Sequence, residues 1–175
     1  MERTDYYSFR RRFEPKVVQL VIVAESPPAS GLYFYNPAGA VTEPLFAALM
    51  LQLGFHPTNK EGGLREFQRN GWVLVDATYE QVNKLSNAAR DSVVVRDYPL
   101  LRDDLLGLLR DQSAPLILLK ANVCRLLEPK LKEDGFNVLN NGGPIYFPSH
   151  GRQPDFHRQF RAILKSNGIQ STGPP

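Results

Sequence analysis

Three short apolar runs constrain the fold of this 175-residue chain more than any other feature. They occupy residues 17–23, 72–75 and 116–119, and the first two are rich in β-branched side chains. Within each run the apolar residues are nearly continuous instead of alternating with polar ones. This pattern is typical of parallel strands that helices cover on both faces. The runs therefore predict the strands of a buried parallel sheet.

Four segments between and after these runs carry apolar residues at helical spacing. The first starts at Thr42, which can cap a helix, and ends at Gly54. The second starts at Pro99, and the third and fourth cover residues 123–132 and 154–165. The chain is thus expected to alternate between strands and helices.

A fourth strand is expected near the end of the domain, and either residues 136–139 or residues 145–147 can supply it. The alternation predicts an α/β fold of three layers, α/β/α, around a central, mostly parallel, four-stranded sheet. We expect residues 1–15 to form an arm packed on a single domain at residues 16–168. Residues 169–175 are expected to form a flexible tail.

Composition narrows the class of protein. Hydrophobic residues make up 42% and charged residues 22% of the chain, as in soluble globular proteins. The N-terminal sequence lacks the order of a secretory signal, and the longest apolar run is too short to cross a bilayer. We therefore expect a cytoplasmic protein without membrane contact. The single cysteine, Cys124, excludes an intrachain disulfide and a cysteine-based metal site.

The net charge of +3 permits contact with nucleic acid without requiring it. An ordinary solvated basic surface is the alternative interpretation. The basic side chains concentrate in two clusters, formed by Arg10, Arg11, Arg12 and Lys16 and by Arg152, His157, Arg158, Arg161 and Lys165.

The residues that follow each predicted strand are the first candidates for a site, because α/β folds bind ligands at the carboxyl ends of their strands. Glu25 and Ser26 follow the first run, and two prolines stiffen the turn after them. An aromatic group that includes Phe34 comes next; it can stack on a flat ligand or fill the core. Asp76 follows the second run, where a carboxylate needs a partner, a ligand or a helix to cap.

Two further polar groups lie later in the chain. Lys120 follows the third run, where it can hold a phosphate or extend from the rim of the sheet into solvent. Ser149, His150 and Arg152 share a turn before the last helix, and such turns bind phosphate. A lone histidine in a loop is more often idle than catalytic, so His150 gains weight only from its neighbours.

These loops, in this order along most of the chain, resemble the uracil-DNA glycosylase superfamily. That family has a Gly-x-[polar]-Pro box after its first strand, here Ala-Glu-Ser-Pro at residues 24–27, and then Gly-x-x-Phe, here residues 31–34. Its next strand ends in asparagine, where this chain has Asp76. Its final His-Pro-Ser box is matched by Phe-Pro-Ser at residues 147–149, with His150 one position late.

The resemblance implies a DNA glycosylase that hydrolyses the N-glycosidic bond of a deaminated or damaged base flipped out of single- or double-stranded DNA. It implies that Glu25 orients or deprotonates water and stabilises the cationic sugar, and that His150 supports the leaving base. Phe34 would stack on the base, and Asp76 would read its edge. An ionised Asp76 only accepts hydrogen bonds, which favours an exocyclic amine over a carbonyl oxygen.

Four residues are expected to bind DNA phosphates and to make binding salt-dependent: Ser26, Lys120, Ser149 and Arg152. No metal and no cofactor is expected, since the iron–sulfur cluster of some relatives needs several cysteines, and we expect a monomer. The departures at Ser26, Asp76 and Phe147 leave a second hypothesis open, a glycosylase-fold protein that binds nucleic acid or a nucleotide without cleaving it. A third is an unrelated α/β hydrolase or nucleotide-binding protein.

Overall fold

The computed structural model describes residues 2–110 and 113–170. Within them, three strands form one small parallel sheet in the order β2-β1-β3. The strands are β1 (Leu20–Ala24), β2 (Trp72–Asp76) and β3 (Leu116–Leu118). In the register of the sheet, Val21 of the central strand lies opposite Val73 on one side and Leu116 on the other. The α/β class and the parallel sheet agree with the prediction from the apolar runs.

Seven helices surround the sheet in this part of the chain. They are α1 (Arg3–Arg11), α2 (Pro44–Gln52), α3 (Lys60–Arg69), α4 (Asn87–Arg96), α5 (Tyr98–Leu108), α6 (Ala121–Glu133) and α7 (Gln153–Ser166). The apolar spacing predicted α2, α5, α6 and α7 but not the other three. Helix α4 buries only Val94, and α3 contains Gly63, where a Cβ atom would collide with the ring of Phe46. Neither helix therefore presents a broad apolar stripe.

Both faces of the sheet are covered. Leu20 and Ile22 of β1 belong to one buried cluster, together with apolar side chains of α1, α2, α3 and α7. Val21 and Val23 belong to a second cluster, with side chains of α4, α5 and α6. All five residues of β1 are buried, which explains why the sequence is continuously apolar from Leu20 onward instead of alternating. The predicted strand began too early, because Val17 is 67% exposed.

The prediction of a fourth strand was wrong for the described residues. Residues 136–139 contribute a single parallel bridge, between Val138 and Leu116, and residues 145–147 form no strand. The side chain of Asn140 occupies the place that a strand would take. Its Oδ1 accepts from the amide of Leu118 at 2.8 Å, and its Nδ2 donates to the carbonyl oxygen of the same residue at 2.9 Å.

The opposite edge of the sheet is closed in the same way. The hydroxyl of Tyr35 accepts from the amide of Leu74 at 2.7 Å and donates to its carbonyl oxygen at 3.2 Å. Exposed strand edges invite pairing with other chains, and a side chain that bonds both backbone groups removes that opportunity. A polar side chain thus closes each edge of this small sheet.

The N-terminal segment forms helix α1, although its sequence showed no clear periodicity. Phe13 is fully buried, and Arg10 is only 3% exposed. The guanidinium of Arg10 donates two hydrogen bonds of 2.6 Å to Asp104 and further ones to Glu14 and Tyr79. Arg10 is therefore not part of a basic surface, in contrast to the interpretation of its cluster from sequence.

At the other end, Ile169 packs against the core, and its amide donates to the carbonyl oxygen of Leu164 at 2.9 Å. The rest of the predicted tail, residues 171–175, lies outside the described residues. None of the helices in residues 2–110 and 113–170 is long and apolar enough to cross a membrane.

The role of Tyr35 can be tested with Tyr35→Phe. The variant keeps the ring but leaves the buried backbone groups of Leu74 without their side-chain partner, which costs about 1–3 kcal/mol of unfolding free energy. Urea unfolding measures this loss, and amide exchange at Leu74 should accelerate. Tyr146→Phe, which removes the hydroxyl of a tyrosine that is 37% exposed, is the control and should change neither quantity. Equal stability of the two variants would contradict the edge-closing role.

Candidate functional site

Polar side chains meet at the carboxyl edge of the sheet, where the parallel strands end together. Asp76 is the last residue of β2 and lies opposite Ala24, the last residue of β1. A pocket of about 380 Å³ opens at this edge, within the size range in which proteins bind small ligands. Five residues singled out from sequence contribute to its lining: Glu25, Ser26, Phe34, Asp76 and Lys120.

Glu25 is the most heavily bonded side chain of the pocket. Arg90 of α4 donates from Nε to Oε1 at 3.1 Å and from Nη2 to Oε2 at 2.5 Å. Asn122 of α6 donates from Nδ2 to Oε1 at 2.7 Å, and the ammonium of Lys120 donates to Oε2. The carboxylate thus links the segment after β1 to α4 and to the start of α6, three parts of the chain that are far apart in sequence.

These contacts determine the ionisation of Glu25. Burial alone would raise the pKa of its carboxyl group, but the hydrogen bonds from Arg90, Lys120 and Asn122 outweigh burial and lower that pKa below its ordinary value. At neutral pH Glu25 is therefore a fixed negative charge. A carboxylate with a lowered pKa is a weak general base, so this geometry favours charge stabilisation over deprotonation of water.

Lys120 reaches Glu25 from an unusual backbone conformation. Its φ of +82° and ψ of 136° belong to a region that favours glycine, yet the residue is a lysine. Its amide donates to the carbonyl oxygen of Ile145 at 2.7 Å, which holds the backbone in this conformation. Such strain often occurs at functional sites, and here it directs an ammonium group to the pocket.

Asp76 is buried like Glu25 but lacks the hydrogen-bond donors that surround Glu25. It is 4% exposed, and its Oδ2 has no hydrogen-bond partner among the described residues. Burial raises the pKa of its carboxyl group to about 8; the charge of Arg10 lowers the pKa, while Asp104 and Glu25 raise it further. Asp76 is therefore protonated at neutral pH, which revises the expectation of an ionised carboxylate that only accepts hydrogen bonds.

The aromatic group after β1 packs into the core and also reaches the pocket. Phe34 is 6% exposed, and its ring meets those of Tyr35 and Phe67 edge-on at centroid distances of 5.0 and 5.2 Å. Tyr33 lines the same pocket, and its buried hydroxyl has no hydrogen-bond partner among the described residues. The core and the stacking interpretations of these aromatics are therefore compatible.

A buried ion pair holds the loop that carries these rings. Lys60 of α3 is 1% exposed, and its Nζ lies 2.5 Å from Oε2 of Glu43 and 2.8 Å from the carbonyl oxygen of Tyr33. Burial lowers the pKa of Lys60, and Glu43 partly offsets this effect. Gly39 lies against the pair, where a Cβ atom would collide with the Glu43 carboxylate. The pair therefore fixes the position of Tyr33 in the pocket wall.

A second, more open concavity of about 520 Å³ adjoins the pocket. Lys120 and Phe147 line both, so they form a shared wall. Its other lining residues include Arg90, Arg125, Ser149 and Arg152. We call this concavity the basic groove. Ser149 and Arg152, which the sequence suggested as phosphate ligands, thus lie beside the pocket and not in it.

His150 is exposed and lines neither the pocket nor the basic groove. Phe147 is the residue of that segment in the pocket wall. Sequence reasoning did not find Arg90. It named Tyr33 only as a member of the aromatic group after the first strand, and it gave Asn122 no catalytic role. Arg90 lies on α4, a helix with one buried residue, so no apolar pattern drew attention to it.

No cluster of three or more histidine, cysteine, aspartate or glutamate side chains suited to a metal ion occurs in residues 2–110 and 113–170. The chain matches no known protein-family model, and a search of curated proteins finds no significant match.

The protonated state of Asp76 has a consequence for stability. Between its ordinary pKa of 3.8 and its folded value of about 8, the folded protein binds more protons at this residue than the unfolded chain does. The contribution of Asp76 to stability therefore falls as pH rises through this window and is lost completely above it. Asp76→Asn removes this dependence. The unfolding free energy of the variant should therefore rise relative to that of the wild type by up to about 1.4 kcal/mol for each pH unit.

Urea unfolding of both proteins at several pH values across that window measures this difference. Asp103→Asn is the matched control, because it removes the same charge from a side chain that is 67% exposed. Its difference from the wild type should not change with pH. Parallel stability curves for the wild type and Asp76→Asn would show that Asp76 is ionised in the folded protein.

Proposed function

We propose that this protein is a DNA glycosylase, which hydrolyses the N-glycosidic bond of a base drawn out of the DNA stack into the pocket. The observation that carries the proposal is the convergence of Glu25, Phe34 and Asp76 on one pocket of about 380 Å³. An aromatic ring, an ionised carboxylate and a hydrogen-bonding acid are the groups that holding and releasing a flipped base requires. The uracil-DNA glycosylase superfamily, which the sequence resembles, has its corresponding motifs in the same order along the chain, and this order supports the same assignment.

The basic groove supports DNA as the substrate. Its lining places four cationic side chains next to the pocket, with Ser149 as a further donor: Arg90, Lys120, Arg125 and Arg152. Because Lys120 lines both, a phosphate in the groove would lie beside a base in the pocket. Such contacts bind the backbone without regard to sequence and help to repay the energy of flipping.

The proposed reaction breaks the bond between the base nitrogen and the sugar C1′, and the electron pair of that bond leaves with the base. The Glu25 carboxylate stabilises the positive charge that develops on the sugar. Water then adds to C1′, its hydroxyl stays on the sugar, and its proton is passed to the departed base or to solvent. Asp76 donates a hydrogen bond to the leaving base, a supporting role that the resemblance had given to His150.

A specific observation favours a second candidate, a protein that binds a nucleic acid or nucleotide without cleaving it. Glu25 accepts hydrogen bonds from Arg90, Lys120 and Asn122, so much of its negative charge is already balanced. A carboxylate in this state contributes less to stabilising a cationic sugar than a free one does. The third hypothesis is an unrelated α/β hydrolase or nucleotide-binding protein. It is less favoured because Phe34 and Asp76 share one pocket, although Ser149 lies in the adjoining basic groove.

Release of free base tests the glycosylase. Single- and double-stranded oligonucleotides that contain uracil, hypoxanthine or xanthine are incubated with the protein, and the released base is quantified. At least one should be cleaved, and Glu25→Gln should reduce the rate by about 100-fold or more, because the charge that stabilises the sugar is lost. Binding of the same oligonucleotides should change much less.

Glu80→Gln is the matched control, since it alters an exposed glutamate that pairs with Arg96 at 2.6 Å, and it should leave the rate unchanged. Thermal unfolding establishes that each variant is folded. Folded wild-type protein that releases no base from any substrate would rule out the glycosylase. Salt-dependent binding that Glu25→Gln does not alter would then support the second candidate.

The basic groove makes a separate prediction about salt. Arg152 lines the groove, and replacing it with alanine should remove one phosphate contact, which lowers the slope of log K against log salt by about 0.7–0.9. Arg158→Ala is a close control, because Arg158 pairs with the same Asp155 as Arg152 does but does not line the groove. Fluorescence anisotropy at several salt concentrations measures both slopes. Equal reductions in the two variants would contradict a specific role for the groove.

A further inference from the structure

We propose that the basic groove is a site for single-stranded DNA, in which an unpaired base stacks on the exposed ring of Tyr146 beside the nucleotide that enters the pocket. The inference rests on the proposed function, because the strand in the groove is the one that delivers a base to the pocket. It adds a second base-binding surface and the class of substrate, a single strand in preference to a duplex.

Tyr146 differs from the other tyrosines of the chain in its exposure. It is the only one of the seven that is exposed, at 37%, whereas the others are buried or half-buried. It also lines the basic groove. An exposed aromatic ring leaves apolar area in contact with water, and in a positively charged groove such rings form the platforms on which bases stack.

The backbone around Tyr146 is held from two sides. The carbonyl oxygen of Ile145 accepts from the amide of Lys120 at 2.7 Å, and the amide of Tyr146 donates to Oε1 of Gln159 on α7 at 3.0 Å. Tyr146 is therefore fixed between the start of α6 and α7. A ring on a backbone that is already fixed in the free protein loses little conformational freedom when a base binds to it.

The guanidinium of Arg152 lies over the Tyr146 ring, with 4.8 Å between Cζ and the ring centroid. Arg152 keeps this position through a hydrogen bond of 3.2 Å to Asp155. A cation at one face of the ring leaves the other face for a base, and the same cation can bind the phosphate of that nucleotide. The two side chains therefore offer one nucleotide both a stacking contact and a charge.

The charge and the size of the groove suit a single strand. Four cationic side chains line it, and Asp91 is the one acid among its lining residues. Its volume of about 520 Å³ lies in the range of small-ligand sites, which admits nucleotides but not a double helix. A paired base keeps its faces against its neighbours in the stack, and exposing one of them costs the stacking energy of that step. The groove therefore favours a strand whose bases are already unpaired.

The position of Tyr146 relates the groove to the pocket. Phe147, the next residue, lies in the wall that the two cavities share. Consecutive Cα atoms are about 3.8 Å apart, which is close to the rise of roughly 3.4 Å between nucleotides of a stacked strand. A base on Tyr146 and a base in the pocket are therefore close enough to belong to neighbouring nucleotides.

A cycle between the ring and the bases tests the inference. One probe is a fluorescent strand of about 12 thymidines, and the other is a strand of the same length in which every nucleoside is the abasic tetrahydrofuran analogue. The phosphates of the two probes are identical. Tyr146→Ala should weaken binding of the thymidine strand about fivefold or more and that of the abasic strand less than about twofold, because only the thymidine strand loses a stack. Tyr146→Phe, which keeps the ring, should bind both probes as the wild type does.

Fluorescence anisotropy at low salt measures these affinities, and thermal unfolding establishes that each variant is folded. The duplex of the thymidine strand with its complement separates the two strand classes. The wild type should bind this duplex about fivefold or more weakly than the free strand, and Tyr146→Ala should change the duplex affinity by less than about twofold.

A further readout uses the wild type alone and does not depend on the folding of a variant. In protein labelled with carbon-13 tyrosine, the ring resonances of Tyr146 should move upfield when the thymidine strand binds, because a stacked base shields the ring. The abasic strand should leave them in place. Tyr146→Phe assigns these resonances by their absence.

The inference is overturned if Tyr146→Ala weakens both strands equally, if Tyr146→Phe loses as much affinity as Tyr146→Ala, if the duplex binds as tightly as the free strand, or if neither strand binds. Tighter binding of the corresponding uridine RNA strand would assign the groove to RNA and overturn the assignment to DNA. Failure of the glycosylase gives a different pattern. Uracil oligonucleotides would then remain uncleaved while the thymidine strand still binds and still requires the ring of Tyr146.

Discussion

The hydroxyl of Tyr35 and the side-chain amide of Asn140 close the two edges of a sheet that has only three strands in the described part of the chain. A parallel sheet of this size is stable only when helices cover its faces and something satisfies the outward backbone groups of its edge strands. The same two contacts also organise the site. Tyr35 follows Tyr33 and Phe34 of the pocket wall directly in sequence. Asn140 bonds the backbone of Leu118, the last residue of β3, two positions before Lys120. The position of the pocket therefore depends on the contacts that close the two edges of the sheet.

Two acids at the ends of adjacent strands have opposite charge states because their surroundings differ. Glu25 is held ionised by three donors, whereas Asp76 is buried without a partner for Oδ2 and is held neutral. Separation of two pKa values in one site is how proteins give chemically similar groups different roles. Here one acid supplies a fixed charge and the other supplies a hydrogen-bond donor. Neither role follows from the residue type alone, since both side chains carry the same functional group.

The strands could be predicted from sequence because a strand that is buried on both faces needs apolar residues at every position, which gives a continuous apolar run. The helices α2, α5, α6 and α7 left the usual apolar spacing. Helix α4 left none, so Arg90, which is 65 residues from Glu25 in the chain, could not be connected to it before the fold was known. The fourth strand failed for a related reason, because one side chain, Asn140, makes the hydrogen bonds that the pattern assigned to a backbone. The residues at the strand ends could be predicted to lie together, because the carboxyl ends of parallel strands meet at one edge of the sheet. The burial and the charge state of those residues could not be predicted, because both depend on the tertiary structure.

Lys120 connects the two halves of the site. Its ammonium bonds Glu25 in the pocket, and its side chain also lines the basic groove. A negative group entering the groove would be attracted to the same ammonium that balances Glu25, so occupancy of the groove and the effective charge on Glu25 are coupled through one side chain. The unusual backbone conformation of Lys120 is consistent with this double use, because a φ of +82° is retained only where surrounding contacts compensate for its cost. The charge available to a ligand in the pocket is thus set jointly by Arg90, Asn122 and whatever binds in the groove.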